Sequence, residues 1–135
     1  MEVFEGFFID RSSSPRLPVT VRGSWTSAEF VAVLDTGFEG MIALPIPQAM
    51  PIGLTINGEF SSVLANGSEV KDLTAKVTVE FGSTSALGSA ILTNAGEVLV
   101  CMDFLRAFNL SLILHRDQVL LIPDQALDLT LPGLH

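Results

Sequence analysis

The chain has 135 residues, of which 48% are hydrophobic and 16% are charged, and its formal net charge is −8. This length fits one domain, and the apolar content excludes a disordered chain. With only seven Lys and Arg against 15 Asp and Glu, the composition disfavours binding to nucleic acid or to an anionic membrane, because both need clustered cations. We expect a single domain over residues 1–135, with part of its apolar excess buried in a subunit interface.

The predicted elements are those of an all-β protein, because short apolar or alternating runs are separated by turn residues throughout the chain. The predicted strands, in chain order, cover residues 3–9, 17–22, 29–34, 41–44, 54–56, 59–64, 70–81, 86–92, 98–100, 110–114 and 118–122. One short helix is predicted over residues 102–108, with Asp103 in the first turn, where negative charge is favoured.

Two hairpin turns are predicted in the middle of the chain. Asn57-Gly58 favours a tight turn whose twist matches paired strands. The segment Ala65-Asn66-Gly67-Ser68 is a second hairpin tip, with residues 60–64 and 70–81 as its arms. In the second arm, Val77, Val79 and Phe81 alternate with Thr78 and Glu80, which predicts a strand with one buried face.

No pattern in the sequence indicates targeting, a metal or a cofactor. The first residues include Glu2 and Glu5 and no cation, unlike a signal peptide, and no apolar run reaches the roughly 18 residues of a membrane span. The only cysteine, Cys101, excludes an intrachain disulfide, and His115 and His135 are too few and too far apart for a metal site. We expect a cytoplasmic protein that needs neither a metal nor a cofactor.

Asp35-Thr36-Gly37 is the feature that points to chemistry, because it directly follows the apolar strand that ends at residue 34. Burial at such a place is costly for a carboxylate, and it raises the pKa of the carboxyl group into a range useful for proton transfer. Gly37 permits a turn that other residues resist, and the Thr36 hydroxyl can hold neighbouring backbone. As an isolated triplet the sequence is more often an ordinary turn, so its context decides.

Three segments together resemble the retropepsin-like aspartic proteases, especially their bacterial and archaeal single-domain branch. Residues 33–44 resemble the catalytic loop of that family, with Phe38-Glu39-Gly40 after the triplet. Residues 64–68 resemble its flap, and residues 98–105 resemble its second signature, an apolar run and Gly-Met-Asp before a short helix. The resemblance covers about residues 17–122 and implies a closed β-barrel of the acid-protease type with one short helix near the C-terminus.

The resemblance implies an aspartic endopeptidase in which two carboxylates share one proton. Because the chain contains one Asp-Thr-Gly, the second carboxylate must come from another copy, so the implied partner is a homodimer with Asp35 facing its symmetry mate. The implied catalytic residues are Asp35, Thr36 and Gly37, with Thr36 linking the two loops across the axis. Residues 65–68 are the implied flap, which closes over an extended peptide or protein substrate.

Four residues are expected to support the site structurally: Gly40, Cys101, Met102 and Asp103. The family usually has glycine where this chain has Cys101. Cysteine is small and readily buried, so we interpret Cys101 as a buried packing residue and not as a reactive thiol. Asp103 is interpreted as a helix-start residue and Glu39 as a solvated loop acid.

Two other functions remain open from the sequence. One is a catalytically weak or inactive module of the protease fold that binds peptides or dimerises, which Cys101 in place of glycine favours. The other is a plain β-barrel interaction domain in which Asp35-Thr36-Gly37 is a turn. Trp25 is either an anchor for packing or an interface, or part of a pocket wall.

Overall fold

The computed structural model describes residues 4–6, 14–35, 40–115 and 118–123. The strands are β1 (Phe4–Gly6), β2 (Arg16–Arg22), β3 (Ser27–Leu34), β4 (Ile42–Pro45), β5 (Ile56–Val63), β6 (Glu69–Phe81), β7 (Thr84–Thr93), β8 (Leu99–Val100), β9 (Leu110–His115) and β10 (Gln118–Pro123). The helices are α1 (Ile46–Ala49), continued by a 3₁₀ turn (Met50–Ile52), and α2 (Met102–Ala107). The predicted all-β class is confirmed, as is the short helix before the last hairpin. In the part of the chain that the structure describes, no helix is long and apolar enough to cross a membrane.

The main sheet has seven strands in the order β2-β3-β8-β4-β7-β6-β5. A further pairing of β2 with β6 closes this sheet on itself and leaves β5 outside the ring. The β3–β8 and β4–β7 pairs are parallel, whereas β1, β10 and β9 form a separate antiparallel sheet. The described residues thus form a ring of six hydrogen-bonded strands, where the resemblance implies a closed barrel.

The core lies inside the ring, where alternate residues of the long strands point inward. In β6 the buried positions Ala75, Val77, Val79 and Phe81 alternate with more exposed neighbours, as a strand with one buried face requires. The fully buried Phe104 of α2 extends this core, and its ring lies 5.4 Å from that of Phe81. This contact fixes α2 against the end of β6 and so positions the residues that precede the helix.

The predicted turn at Asn57-Gly58 is wrong, because both residues lie within β5. The pairing of β5 with β6 shifts register between Ile56 and Gly58, which is a β-bulge. Thr74 Oγ1 donates a hydrogen bond to Asn57 Oδ1 at 2.6 Å, and Asn57 Nδ2 donates one to Ser89 Oγ at 2.9 Å. The amide therefore bridges β6 and β7, and long-range partners override the local preference for a turn.

The helical segment over residues 46–52 was not predicted. Pro47 and Pro51 each lie in the first turn of a short helical element. Proline is tolerated there because the first backbone N–H groups of a helix have no partner within it. Gly53, with φ of +88°, then turns the chain towards β5.

Candidate active site

Asp35 is the first residue after β3, and a parallel strand pair holds its backbone. The end of β3 is buried at Ala32, Val33 and Leu34, and Val33 and Leu34 pair with Leu99 and Val100 of β8. The backbone N–H of Asp35 donates to the carbonyl oxygen of Val100 at 2.9 Å. The acid is thus attached to the core through its main chain.

The side of Asp35 that faces away from the core is accessible. Asp35 is exposed in the single chain, so the burial expected for this carboxylate is not found within one copy. Thr36, Gly37 and Glu39 lie outside the described residues. The accessible side of Asp35 is open to contact by a second molecule, either another copy of the chain or a bound peptide.

Backbone hydrogen bonds also join the far end of this loop to the segment before α2. The N–H of Cys101 donates to the carbonyl of Met41 at 3.1 Å, and the N–H of Asp103 donates to the carbonyl of Gly40 at 3.1 Å. Gly40 has φ of +119°, a conformation that a residue with a Cβ adopts only under strain. Both ends of the loop that carries Asp-Thr-Gly are therefore fixed to residues 100–103.

Cys101 is buried beside this loop, with a relative exposure of 0%. Burial raises the pKa of its thiol from 9.0 to about 12, and the negative charges of Asp35 and Asp103 act in the same direction. The thiol is consequently protonated at physiological pH and does not supply a thiolate nucleophile. The carboxylates of Asp35 and Asp103 are therefore near enough to Cys101 for their charges to raise its pKa.

Met102 and Asp103 form the first turn of α2. Met102 is half-buried and packs against the core. The Asp103 carboxylate pairs with Arg106 one turn later, with 2.8 Å between Oδ1 and Nη1. Asp103 therefore helps to fix the start of the helix through both its backbone and its side chain.

The hairpin tip at residues 65–68 has the internal bonding of a defined turn. The Leu64 N–H donates to the Ser68 carbonyl at 2.8 Å, and Asn66 Oδ1 accepts from the Ser68 N–H at 3.0 Å. Gly67 has φ of +85°, and all four tip residues are exposed. Among the described residues, the hydrogen bonds of the tip stay within it and its immediate flanks, so none connects it to Asp35.

The indole of Trp25 packs on backbone and remains 80% exposed. A Cβ added to Gly53 would lie 2.8 Å from Trp25 Cγ, so the ring rests directly on that glycine. The backbone N–H of Trp25 also donates to the carbonyl of Ile52 at 3.0 Å. The residue therefore sits at the surface, where the loop before β3 meets the turn after α1.

Sequence reasoning did not identify Val100 as the residue that holds Asp35. Its contribution is a backbone carbonyl, which any residue type supplies, and the two residues are far apart in the sequence. The only available signal was the second apolar run at residues 98–100, which indicated a strand without indicating its partner.

Two solved structures resemble this chain in fold. The EIAV protease complexed with the inhibitor HBY-793 matches with a TM-score of 0.58 and 14% sequence identity, over 79% of this chain and 99% of that chain. A retropepsin-like aspartic protease from Rickettsia conorii matches with a TM-score of 0.59 and 19% identity, over 89% of this chain and 91% of that chain. No protein-family model and no curated protein matches the sequence. At these identities the likeness establishes the retropepsin-like fold and leaves activity to be tested.

Proposed function

We propose that this chain is an aspartic endopeptidase that works as a homodimer, with Asp35 of each copy in one shared site. The observation that carries the proposal is the placement of Asp35. In a retropepsin-like fold, it is an exposed acid whose backbone is fixed at the end of a buried strand. The sequence offers one Asp-Thr-Gly, so a two-carboxylate site requires a second copy.

The proposed reaction is hydrolysis by general acid–base catalysis. Two carboxylates about 3 Å apart cannot both ionise, so the pair holds one proton between them. The ionised carboxylate takes a proton from a water molecule as its oxygen attacks the carbonyl carbon of the peptide bond. The protonated carboxyl donates a hydrogen bond to the carbonyl oxygen, and a proton then passes to the leaving nitrogen. This route needs no covalent intermediate and no cofactor.

The other segments of the site have supporting parts in this proposal. Residues 40 and 100–103 hold the ends of the catalytic loop, which limits movement of Asp35. Thr36 and Gly37 keep the roles that the resemblance implies. The flap at residues 65–68 closes over the peptide, and the exposed Val63 and Leu64 beside it provide apolar surface for substrate side chains. A bound peptide lies extended, as an added strand.

A second candidate is a peptide-binding or dimerisation module with little or no catalysis. The observation that favours it is the complete burial of Cys101, where the resembling family usually has glycine. A Cβ and a sulfur atom at this position occupy space beside the catalytic loop. If they hold Asp35 away from its symmetry mate, peptide binding would persist while hydrolysis would be slow.

The test is cleavage of an unfolded protein at acidic and at neutral pH, with products identified by mass spectrometry. We expect cleavage by the wild type and none by Asp35→Asn, which keeps the side-chain shape but cannot act as a base. Glu29→Gln is the matched control, because Glu29 is an exposed acid on β3, the strand that leads to Asp35, and should be dispensable. Clean dimers that bind peptides without cleaving them would support the second candidate instead.

Three finer expectations remain predictions from the sequence. They are a place in the bacterial and archaeal branch, a single domain over residues 1–135, and a cytoplasmic location.

A further inference from the structure

The outer face of the ring carries a cavity that the proposed active site does not use. It has a volume of about 310 Å³, and its wall includes Arg22, Ser24, Thr55, Lys76, Thr78 and Leu87. Strand pairing brings these residues together, because Arg22 of β2 and Leu87 of β7 both lie opposite Thr78 of β6. Lys76 and Thr78 share the outward face of β6, since the intervening Val77 is buried.

The charge of this wall is opposite to that of the chain. The net charge is −8, yet none of the described residues that line the cavity is acidic. Arg22 Nε forms an ion pair with Glu80 Oε1 at 3.8 Å, which is longer than the 2.8 Å between Arg106 and Asp103, so the Arg22 guanidinium retains N–H groups that this contact does not use. Among the described acids, none forms an ion pair with Lys76. Both cations therefore keep donor capacity for a ligand.

Hydroxyl groups add neutral donors to the same cavity. Ser24 Oγ and Thr55 Oγ1 are hydrogen-bonded to each other. Only one of the two can donate in that bond, so the other hydroxyl has its hydrogen available for a further acceptor. The backbone fixes this pair beside the cation, because the Lys76 N–H donates to the Thr55 carbonyl at 2.9 Å.

The remaining wall is apolar. Leu87 is 67% exposed, so most of its side chain is available for contact with a ligand. Cations and hydroxyl donors without a carboxylate recognise anionic oxygens, and Arg binds them through two N–H groups at once. An adjacent aliphatic surface selects an anion that carries a hydrocarbon chain.

We propose that this cavity binds a small organic anion, namely a carboxylate or phosphate group on an aliphatic chain. The anionic oxygens lie between Arg22 and Lys76, and the chain lies on Leu87. The site is separate from Asp35, because Ser24 precedes β3 and Asp35 follows it, and a strand of 8 residues spans about 26 Å. Binding therefore does not depend on proteolytic activity.

The test is a titration of the full chain, labelled with ¹⁵N and followed by NMR. The ligands are hexanoate and hexyl phosphate, with hexanol and inorganic phosphate as probes that lack the charge or the hydrocarbon chain. We expect saturable shifts of the amides of Ser24, Thr55 and Lys76 with one or both anions, and at least tenfold weaker binding of hexanol and of inorganic phosphate. The anion that binds more tightly identifies the head group.

Variants separate this site from general surface binding. Lys76→Gln should weaken anion binding at least tenfold, and Arg22→Gln should weaken it similarly. Lys71→Gln is the matched control, because Lys71 is the other lysine of the chain and lies on the same strand outside the cavity. The proposal is overturned if no saturable shift occurs, if Lys76→Gln and Lys71→Gln bind alike, or if hexanol binds as tightly as hexanoate. Cleavage is not measured, so failure of the proposed protease function would leave this result unaffected.

Discussion

The backbone N–H of Asp35 donates a 2.9 Å hydrogen bond to the carbonyl of Val100, at the place where β3 and β8 run parallel. This bond joins the acid of the only Asp-Thr-Gly to the segment that leads into α2. The next residue, Cys101, and then Asp103 bond back to Met41 and Gly40. The position of Asp35 therefore depends on the packing of residues 100–103.

Replacing Cys101 should separate fold from activity. Cys101→Gly restores the residue usual in the resembling family, so we expect a several-fold higher kcat/KM. It should also cost about 1–2 kcal/mol in the free energy of unfolding, because a buried side chain is lost and glycine adds freedom to the unfolded chain. Cys101→Ala is the control, since it removes the sulfur and keeps the Cβ. An unchanged kcat/KM in both variants would show that Cys101 does not limit catalysis.

The raised pKa of Cys101 predicts a loss of stability at high pH. The folded thiol titrates at about 12 against 9.0 without the fold, so above pH 9.0 the unfolded chain releases a proton that the folded chain keeps. The free energy of unfolding should fall by up to about 1.4 kcal/mol per pH unit in this window, with no loss below it.

Urea unfolding at increasing alkaline pH measures this effect. The chain has no tyrosine, so few other groups titrate in the same range. Cys101→Ala should show a clearly flatter dependence on pH. Equal slopes for the variant and the wild type would contradict the assignment of this effect to Cys101.

Phe104 should be the most costly side chain to remove near the site. It is fully buried, with its ring 5.4 Å from Phe81 and 4.8 Å from Phe108. We expect Phe104→Ala to lower the free energy of unfolding by about 3–5 kcal/mol and to reduce cleavage, because α2 would no longer hold residues 100–103. Val31→Ala, at a position 55% exposed, should change stability by less than about 0.5 kcal/mol.

The flap tip should depend on the Asn66 side chain. Its Oδ1 accepts hydrogen bonds from the Ser68 N–H at 3.0 Å and from Ser68 Oγ at 2.5 Å. Asn66→Ala removes both acceptor contacts, so we expect faster hydrogen exchange of the Ser68 amide and a higher KM for peptides. Ser68→Ala keeps the bond to the N–H and should exchange more slowly than Asn66→Ala. Identical exchange in the two variants would mean that the bond to the N–H does not order the tip.

The strands could be predicted from the sequence because their signals are local. The alternation of Val77, Val79 and Phe81 with polar residues is enough to indicate a strand with one buried face. Asn-Gly is a weaker signal, because it indicated a turn correctly at residues 66–67 and wrongly at residues 57–58. The pairing that closes the ring, between β2 and β6, has no such local signal, because it joins segments with long intervening sequence.

The wrong turn prediction and the missed site features also reflect contacts between residues that are distant in the sequence. Asn57-Gly58 was assigned to a turn because Asn-Gly locally favours one, whereas the partners of Asn57 in the structure, Thr74 and Ser89, are distant in the sequence. For the site, the Asp-Thr-Gly motif identified Asp35, but the exposure of Asp35 in one copy depends on the fold and could not be predicted from neighbouring residues. The cavity at Arg22 and Lys76 combines three strands and was missed for the same reason.

The central claim is that one active site needs Asp35 from two copies, and a tethered dimer tests it most directly. Two copies joined by a flexible linker can carry Asp35 in both halves, in one half, or in neither, with Asp35→Asn as the replacement. Kinetics of peptide cleavage by the three purified proteins at low concentration then give the result. If the two carboxylates share one site, the dimer with a single Asp35 should cleave at about 1% of the rate of the intact dimer or less. If each copy worked alone, that dimer would keep half of the rate, and this result would contradict the account.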